Sequence, residues 1–423
     1  MYLLAVFHRA SLGVAGVAAE HRFHIGPAAL GTFTVLQLGV YAAMQIPTGI
    51  LVDRFGSRRV LLAAATFMGL GQILLAEAGS YPLALLARAV LGLGDALTFV
   101  SVLRLAVGYF PARLFPIITA LTATMGYLGN LAATVPLSAA LHGHGWTPTF
   151  LLTGLVTIGY AWVASLWIRN GVPDASTPER RKPSARPTAP GVRAQLATAW
   201  RTPGTRLGFW VHFSTMFGPN ALALLWGVPF LLGAEGRTPA QASELLTVFV
   251  FGSMIGGPAI GAVISRRPSA RVPLALAYLC AALACWAIIL LAPPLPDAAL
   301  VPLFAFLALG GPASMIGFAL ARDYNPTPRV ATATGVVNVG GFSATTLATL
   351  LIGVLLQATA SLGPAASSRM SMLIVVAMLM FGLWRTVTWW RRARAVALHA
   401  QARGDGVPVT VRRQSWDLVA AAQ

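Results

Sequence analysis

The sequence predicts an all-α polytopic membrane protein, with twelve transmembrane helices in two pseudo-symmetric six-helix bundles. Three observations carry this reading. The 423 residues are 57% apolar and only 10% charged, with a mean hydropathy of +0.72, more apolar surface than a soluble domain could hide. The apolar residues fall into about twelve runs of the roughly 20-residue length that crosses a bilayer as a helix. The basic residues gather on one side of those runs, as loops facing the cytoplasm do.

The runs read 2–19, 28–52, 60–78, 82–108, 114–141 and 148–168, then 207–233, 240–264, 272–293, 298–321, 328–357 and 370–390. The short alternating segments of a membrane β-barrel do not occur. Between 170 and 206 the apolar pattern stops in a stretch rich in proline, charge and small polar residues, the composition of a flexible linker. The expected organisation is therefore an N-terminal bundle over 1–169, a cytoplasmic linker over 170–206, a C-terminal bundle over 207–392 and a cytoplasmic tail over 393–423, with little fixed structure beyond the basic run that follows Trp389 and Trp390.

The formal net charge of +18 taken alone would suit a nucleic-acid partner, but position decides otherwise. With both termini placed in the cytoplasm, 24 of the 30 basic residues fall at the cytoplasmic face. Arg22, Arg237 and Arg369 fall at the opposite face, and Arg9, Arg88 and Arg104 lie inside spans. The charge records topology in a plasma membrane, and no nucleic-acid partner is expected.

Two cysteines, Cys280 and Cys285, sit five apart in the ninth span and well separated around a helix, so neither a bridge nor a metal pair is expected. No cleavable leader is predicted, since the first apolar run lacks a basic n-region and a small-residue cleavage site. His142 and His144 on a short outer loop are too few ligands for a structural zinc. No cofactor is implied, and no G-x-x-x-x-G-K-[ST] loop is present to serve ATP hydrolysis.

The segment GILVDRFGSRRVLL, Gly49 to Leu62, joins the second and third spans. Gly49 lets a neighbouring helix approach, Gly56 permits a tight reversal, and Arg54, Arg58 and Arg59 hold the loop at the cytoplasmic face. Asp53 is placed to meet a helix N-terminus, where backbone N–H groups and the macrodipole favour an anion. Thr327-Pro328, read as a cap and first turn, offers such an end on span eleven. The alternative is that Asp53 only balances its neighbouring arginines. A degenerate echo, Gly261-x-x-x-Ser265-Arg266-x-x-x-Ala270-Arg271, follows the second span of the other half.

The segment closely resembles the signature of the major facilitator superfamily, and with the six-plus-six layout the resemblance covers nearly the whole chain. It implies a transporter working by alternating access, with Gly49, Asp53, Arg54, Gly56 and Arg58 as a conformational latch that steadies the outward-facing state.

Span four carries Arg88-x-x-x-Gly92-x-Gly94-Asp95, which resembles the family's second motif. Asp95 is the acid nearest the middle of any span, and an intramembrane charge costs several kcal/mol unless it faces a cavity or a partner. Asp95 is the proton-coupling candidate. Arg88 lies seven residues away on nearly the same face and is its expected partner.

In span one the run FHRASL around Arg9 resembles the first helix of organic anion:cation symporters, which implies that Arg9 meets the anion of a substrate. Pairing of Arg9 with Asp95 is the alternative. The family's architecture lines its cavity with spans one, four, seven and ten, which directs attention to His212, Asn220 and Trp226 as substrate-binding candidates. Satisfied interhelical hydrogen bonds are the alternative for each.

Nitrate porters carry arginines where Gln45 and Gly257 stand, and the proline-glycine signature of drug:proton antiporters is absent around Pro136. The reading is a monomeric secondary carrier that moves a small organic anion by proton-coupled alternating access. Efflux of an amphipathic compound, or a transport-dead sensor of the same fold, are the alternatives. No enzyme is expected, for no nucleophile and base pair up in a span.

Overall fold

A computed structural model describes residues 1–25, 27–167, 192–404, 411, 413, 414 and 417. Among the described residues the regular structure is helical, with no strand. By length and composition, 8 helical stretches qualify as membrane spans.

Span one is two helices, α1 (Tyr2–Val14) and α2 (Gly16–Phe23), joined at Ala15, whose N–H still donates to the Ser11 carbonyl at 3.1 Å. Spans two to six are α3 (Pro27–Phe55), α4 (Ser57–Glu77), α5 (Tyr81–Tyr109), α6 (Phe115–His144) and α7 (Trp146–Trp167). The linker predicted over 170–206 lies outside the described residues up to 191. From there a helix, α8 (Val192–Arg201), takes its place.

Span seven is interrupted. α9 (Pro203–Ala221) passes through a π-helical turn at Leu222–Trp226 into α10 (Gly227–Gly233). Pro219 and Pro229 lie on either side of the turn and carry no N–H, and the Gly227 N–H reaches back five residues to the Leu222 carbonyl. A widened turn is one way for a helix in lipid to re-satisfy the carbonyls that proline leaves free.

α11 (Pro239–Arg266) starts with a capping box in which the Gln241 N–H donates to Thr238 Oγ1 at 3.3 Å and the Thr238 N–H to Gln241 Oε1 at 3.0 Å. α12 (Arg271–Leu291) follows. Span ten is broken twice, into α13 (Asp297–Leu307), α14 (Gly310–Ser314) and α15 (Ile316–Tyr324), around the run Gly310-Gly311-Pro312. A 3-10 turn at Thr327–Arg329 opens α16 (Val330–Ala358), and α17 (Pro364–Ala402) ends the described helices.

The 39 residues of α17 make a rod of about 58 Å, well beyond a hydrocarbon core of about 30 Å. The expectation of little fixed structure past the basic run is thus corrected. The helix continues through Arg391, Arg392 and Arg394 to Ala402, and Asp417 returns to clamp Arg394 with bonds of 2.6 and 2.7 Å.

The chain forms two compact units. The first comprises Met1–Pro111, Thr122–Ala199 and Thr327–Gly335, and the second comprises Ala112–Leu121, Trp200–Pro326 and Val336–Gln423. In the first unit α5 is the hub, packed on α3, α4 and α1, while α4 also packs on α7. In the second, α9 plays that part for α14, α15 and α17. The core of the second unit gathers Phe217, Phe230, Trp286, Phe304 and Leu379, all buried. Its far end is tied by Glu235, which is buried, accepts from the Leu295 N–H at 2.8 Å and pairs with Arg369 at 3.3 Å.

Small residues set how close these helices come. A Cβ on Gly71 would lie 2.7 Å from the Leu91 nitrogen and 2.9 Å from the Ala87 carbonyl oxygen of α5, whereas one on Gly39 would meet nothing within 4 Å. Gly71→Leu is therefore expected to destabilise the α4–α5 contact by about 1–3 kcal/mol, read as a lower thermal midpoint and a loss of monodisperse protein in detergent. Gly39→Ala is expected to leave both unchanged.

Candidate functional site

The first unit holds a charged cluster inside the spans, made by α1, α3 and α5. Asp95, fully buried on α5, accepts two hydrogen bonds from Arg9 of α1, from Nε and Nη2, each at 2.8 Å. This bidentate fork is the geometry in which a guanidinium binds a carboxylate most strongly. Arg9 also lies over the Tyr41 ring of α3 at 4.8 Å, and its side chain keeps 24% of its exposure while that of Asp95 keeps none.

Arg88, the expected electrostatic partner of Asp95, does act on it by charge, but the direct fork comes from Arg9. Arg88, 1% exposed, points its fork at Gln37 Oε1 of α3 and at the main-chain carbonyls of His8 and Arg9, the latter two at 3.3 Å. Gln37 in turn donates to Asp95 Oδ2 at 3.5 Å, so Arg88 supports the carboxylate at one remove. Arg88 and Asp95 sit about two turns apart on α5, and Arg9 enters from a neighbouring helix to take both carboxylate oxygens.

The glycines beside this cluster have visible work. A Cβ on Gly92 would sit 3.2 Å from the Gln37 carbonyl oxygen, and one on Gly94 would sit 2.4 Å from that of Ala64. Gly92 thus admits α3 with its glutamine, and Gly94 admits α4. Further along α1, His8 Nε2 shares a 2.6 Å hydrogen bond with Thr157 Oγ1 of α7. Gln37, Tyr41 and the His8–Thr157 pair were not singled out in the sequence. The available signal was a polar side chain in an apolar span.

The Gly49–Leu62 segment forms a second site in the same unit. Asp53 Oδ2 accepts from the Thr332 N–H at 2.8 Å and from Thr332 Oγ1 at 2.7 Å, and Oδ1 accepts from the Ala331 N–H at 3.3 Å. These donors belong to the first turn of α16, so the carboxylate sits where free N–H groups and the helix dipole favour it. Thr332, one turn past Thr327-Pro328, supplies the hydroxyl. Arg104 of α5 stands 3.7 Å from Asp53 Oδ1, a contact the sequence reading had not connected.

Gly49 lets α16 descend onto α3, since a Cβ there would lie 2.6 Å from the Ala331 carbonyl oxygen. Gly56 has φ +81°, a conformation only glycine adopts without strain, and it separates α3 from α4. Arg54, exposed, stacks on Phe55 at 5.4 Å. Arg58 is exposed as well.

The second unit repeats half of this arrangement. A Cβ on Gly261 would meet the Ala120 Cβ at 2.8 Å and the Ile117 Cα at 3.1 Å, so the close approach is kept. Ser265, at the position equivalent to Asp53, has an Oγ with no hydrogen bond among the described residues. The nearby acid is instead Asp323 at the end of α15, paired with Arg271.

His212, Asn220 and Trp226 are all engaged within the second unit. His212 is buried, with Nδ1 3.1 Å from the Ser314 carbonyl oxygen and its ring 4.6 Å from that of Phe318. Asn220 donates to Thr345 Oγ1 at 3.4 Å, and Trp226, at the end of the π turn, donates to the Thr349 carbonyl at 3.1 Å. Each is held against another helix of its unit.

Replacing Asp53 by Asn removes a charged acceptor of three hydrogen bonds and leaves Arg104 without its acid. Bonds to charged groups contribute about 1.5–3 kcal/mol each, so amide exchange at Ala331 and Thr332 is expected to speed by at least about tenfold. Ser265→Asn is expected to leave exchange at the Ala112–Leu121 segment unchanged.

Comparison with known proteins places these features in context. The chain is 24% identical over 272 residues to the probable sulfoacetate transporter SauU of Cupriavidus necator, covering 63% of each chain. It is 26% identical over 284 residues to the 3-(3-hydroxy-phenyl)propionate transporter of Escherichia coli, covering 63% of this chain and 64% of that one. The matches thus span just under two thirds of the length of both relatives. Among solved structures, the transporter FucP in its outward conformation superimposes with a TM-score of 0.67 at 16% identity, over 91% of this chain and 97% of that one. That likeness establishes the fold. The sequence model of the Major Facilitator Superfamily matches residues 1–349, and the chain belongs to that superfamily.

Proposed function

We propose that this multi-pass membrane transporter carries a small organic anion, with Arg9 as the anion anchor and Asp95 as the proton-coupling group. The observation that carries the reading is the charge balance of the buried cluster. Two guanidiniums, Arg9 and Arg88, face one carboxylate, Asp95, at 0 to 24% side-chain exposure. A formal positive charge is left over in a setting where an unbalanced charge is costly. An anionic solute supplies the balance, and the planar fork of arginine suits carboxylate, sulfonate or phosphate oxygens.

The coupling follows from competition for one fork. While Asp95 is ionised it occupies both Nε and Nη2 of Arg9. A proton on Asp95 removes the charge that holds the fork and frees it for the solute's anion. Loss of the proton restores the internal pair and expels the anion. Proton and anion then travel together, the direction set by their gradients. The two relatives named above for sulfoacetate and 3-(3-hydroxy-phenyl)propionate support the anionic class. The Asp53 contact with the opening of α16 serves as the latch that is made and broken in each cycle, and His212, Asn220 and Trp226 are the proposed second-unit contributors to solute binding. The termini lie in the cytoplasm of a plasma-membrane monomer.

In proteoliposomes screened with sulfonates, aromatic acids, sugar acids and an amphipathic cation, an organic acid is expected to enter faster when the outside is acidic. Arg9→Gln removes a charged hydrogen-bond donor worth about 1.5–3 kcal/mol and is expected to raise the KM for that acid by about 10- to 100-fold. Asp95→Asn is expected to keep solute exchange and abolish the response to a proton gradient. Uptake that still follows the gradient in Asp95→Asn refutes the coupling role, and flux confined to the cation, indifferent to Arg9→Gln, refutes the anion.

The latch has a separate readout. Asp53→Asn is expected to lower uptake at unchanged expression, and undiminished uptake rules that role out.

A further inference from the structure

A second group of arginines, none of them in the transport cluster, lies in the second unit where Trp200 at the end of α8 meets α9 and α17 meets α9. The Cζ atoms of Arg206 and Arg392 lie 4.6 and 4.8 Å from the centroid of the same indole, Trp389, which bounds their separation at the sum of the two. Arg385 lies 4.8 Å from the Trp210 centroid and 5.4 Å from that of Trp384. Trp210 is linked through Phe209 to Trp200, with ring separations of 5.1 and 5.3 Å, and Arg206 lies 5.1 Å from Trp200. On α17 the residues Arg385, Trp389 and Arg392 are spaced four and three apart, which puts them on one face.

Arg9, Arg271, Arg369 and Arg394 are each paired with a carboxylate, whereas none of Arg206, Arg385 and Arg392 has an acid within ion-pair distance among the described residues. Arg385 and Arg392 both act on Arg206 as like-signed neighbours. Arg206 is held in place by a 2.6 Å hydrogen bond from its Nε to the Trp200 carbonyl, and Arg385 Nε is buried without a hydrogen-bond partner. Repelling charges fixed on aromatic faces, with guanidinium donors to spare, form a receptor for an anion with several oxygens.

The same face says which anion. Next to the arginines on α17, Phe381 and Trp384 are 44% and 60% exposed, and in a membrane transporter such side chains meet lipid. Tryptophan and arginine together at the end of a span mark the headgroup level. We infer that Arg206, Arg385 and Arg392 bind the phosphate of one anionic phospholipid, whose acyl chains lie along Phe381 and Trp384. This site uses no residue of the transport cluster and does not depend on the identity of the solute.

Native mass spectrometry of the full-length protein, released from detergent with equal amounts of phosphatidylglycerol and phosphatidylcholine of the same chains, tests this. Wild-type protein is expected to retain phosphatidylglycerol in preference to phosphatidylcholine. A juxtamembrane arginine contributes a factor of about five to binding an anionic surface, so Arg206→Gln with Arg392→Gln is expected to cut the preference by at least that factor. Arg206→Lys with Arg392→Lys, which keeps the charge and the fold, is expected to keep part of it, and Arg59→Gln all of it. Equal retention of the two lipids by wild type overturns the proposal, as does a preference untouched in the glutamine variant. Displacement of the lipid by millimolar inorganic phosphate also overturns it, since that identifies a free-anion site.

Discussion

A single buried carboxylate organises the first unit. Asp95 stands in α5, the helix on which α1, α3 and α4 pack, and in a bilayer its charge is tolerable only with partners at close range. Arg9 brings α1 to it, and Gln37 brings α3 while also taking the fork of Arg88. Gly92 clears the space for α3, and Gly94 does the same for α4. The register of three helices is thus tied to one acid, and any event that changes its charge acts on all three. This is the ground for the coupling role proposed above, since packing alone is something helices in lipid achieve with small residues.

The two halves use the same contact with different chemistry. Gly49 and Gly261 each let the opening of a helix come within backbone distance, α16 in one unit and α6 in the other. In the first unit the contact is locked by a carboxylate on free N–H groups, with Arg104 beside it. In the second, Ser265 Oγ makes no hydrogen bond among the described residues, and the acid of that end is Asp323, paired with Arg271. One contact therefore carries a charge-assisted lock, and its twin relies on packing. The interruptions of spans seven and ten belong to the second unit as well, where proline and paired glycines leave main-chain groups to be satisfied by unusual turns rather than by a regular ladder.

Much of this was legible in the residues. The apolar runs located the helices within a few residues, because in lipid a helix must satisfy its own backbone and composition alone marks where it lies. The Gly49–Leu62 segment predicted its own reach to the first turn of span eleven, since a lone carboxylate beside a glycine in a basic loop has few destinations. The direct partner of Asp95 was less legible. Spacing on α5 favoured Arg88, while Arg9 was one of two readings, because a helical repeat reports which residues share a face and says nothing about what another helix inserts between them. The length of α17 was missed for a related reason: a basic run reads as the end of a span, yet arginine is a good helix former and the rod continues.

The sequence by itself determined the class of fold, the order of the apolar runs, the gathering of most arginines between those runs and the presence of a few ionisable groups where lipid forbids idle ones, all consequences of composition and one-dimensional order. Only the tertiary structure decided which charges meet: Arg9 rather than Arg88 on Asp95, Thr332 on Asp53, Asp323 on Arg271, and three arginines on a floor of tryptophans with no acid within ion-pair distance among the described residues. Pairing is decided by which helices touch and at what height. That is a property of packing between segments up to several hundred residues apart, which no local pattern records.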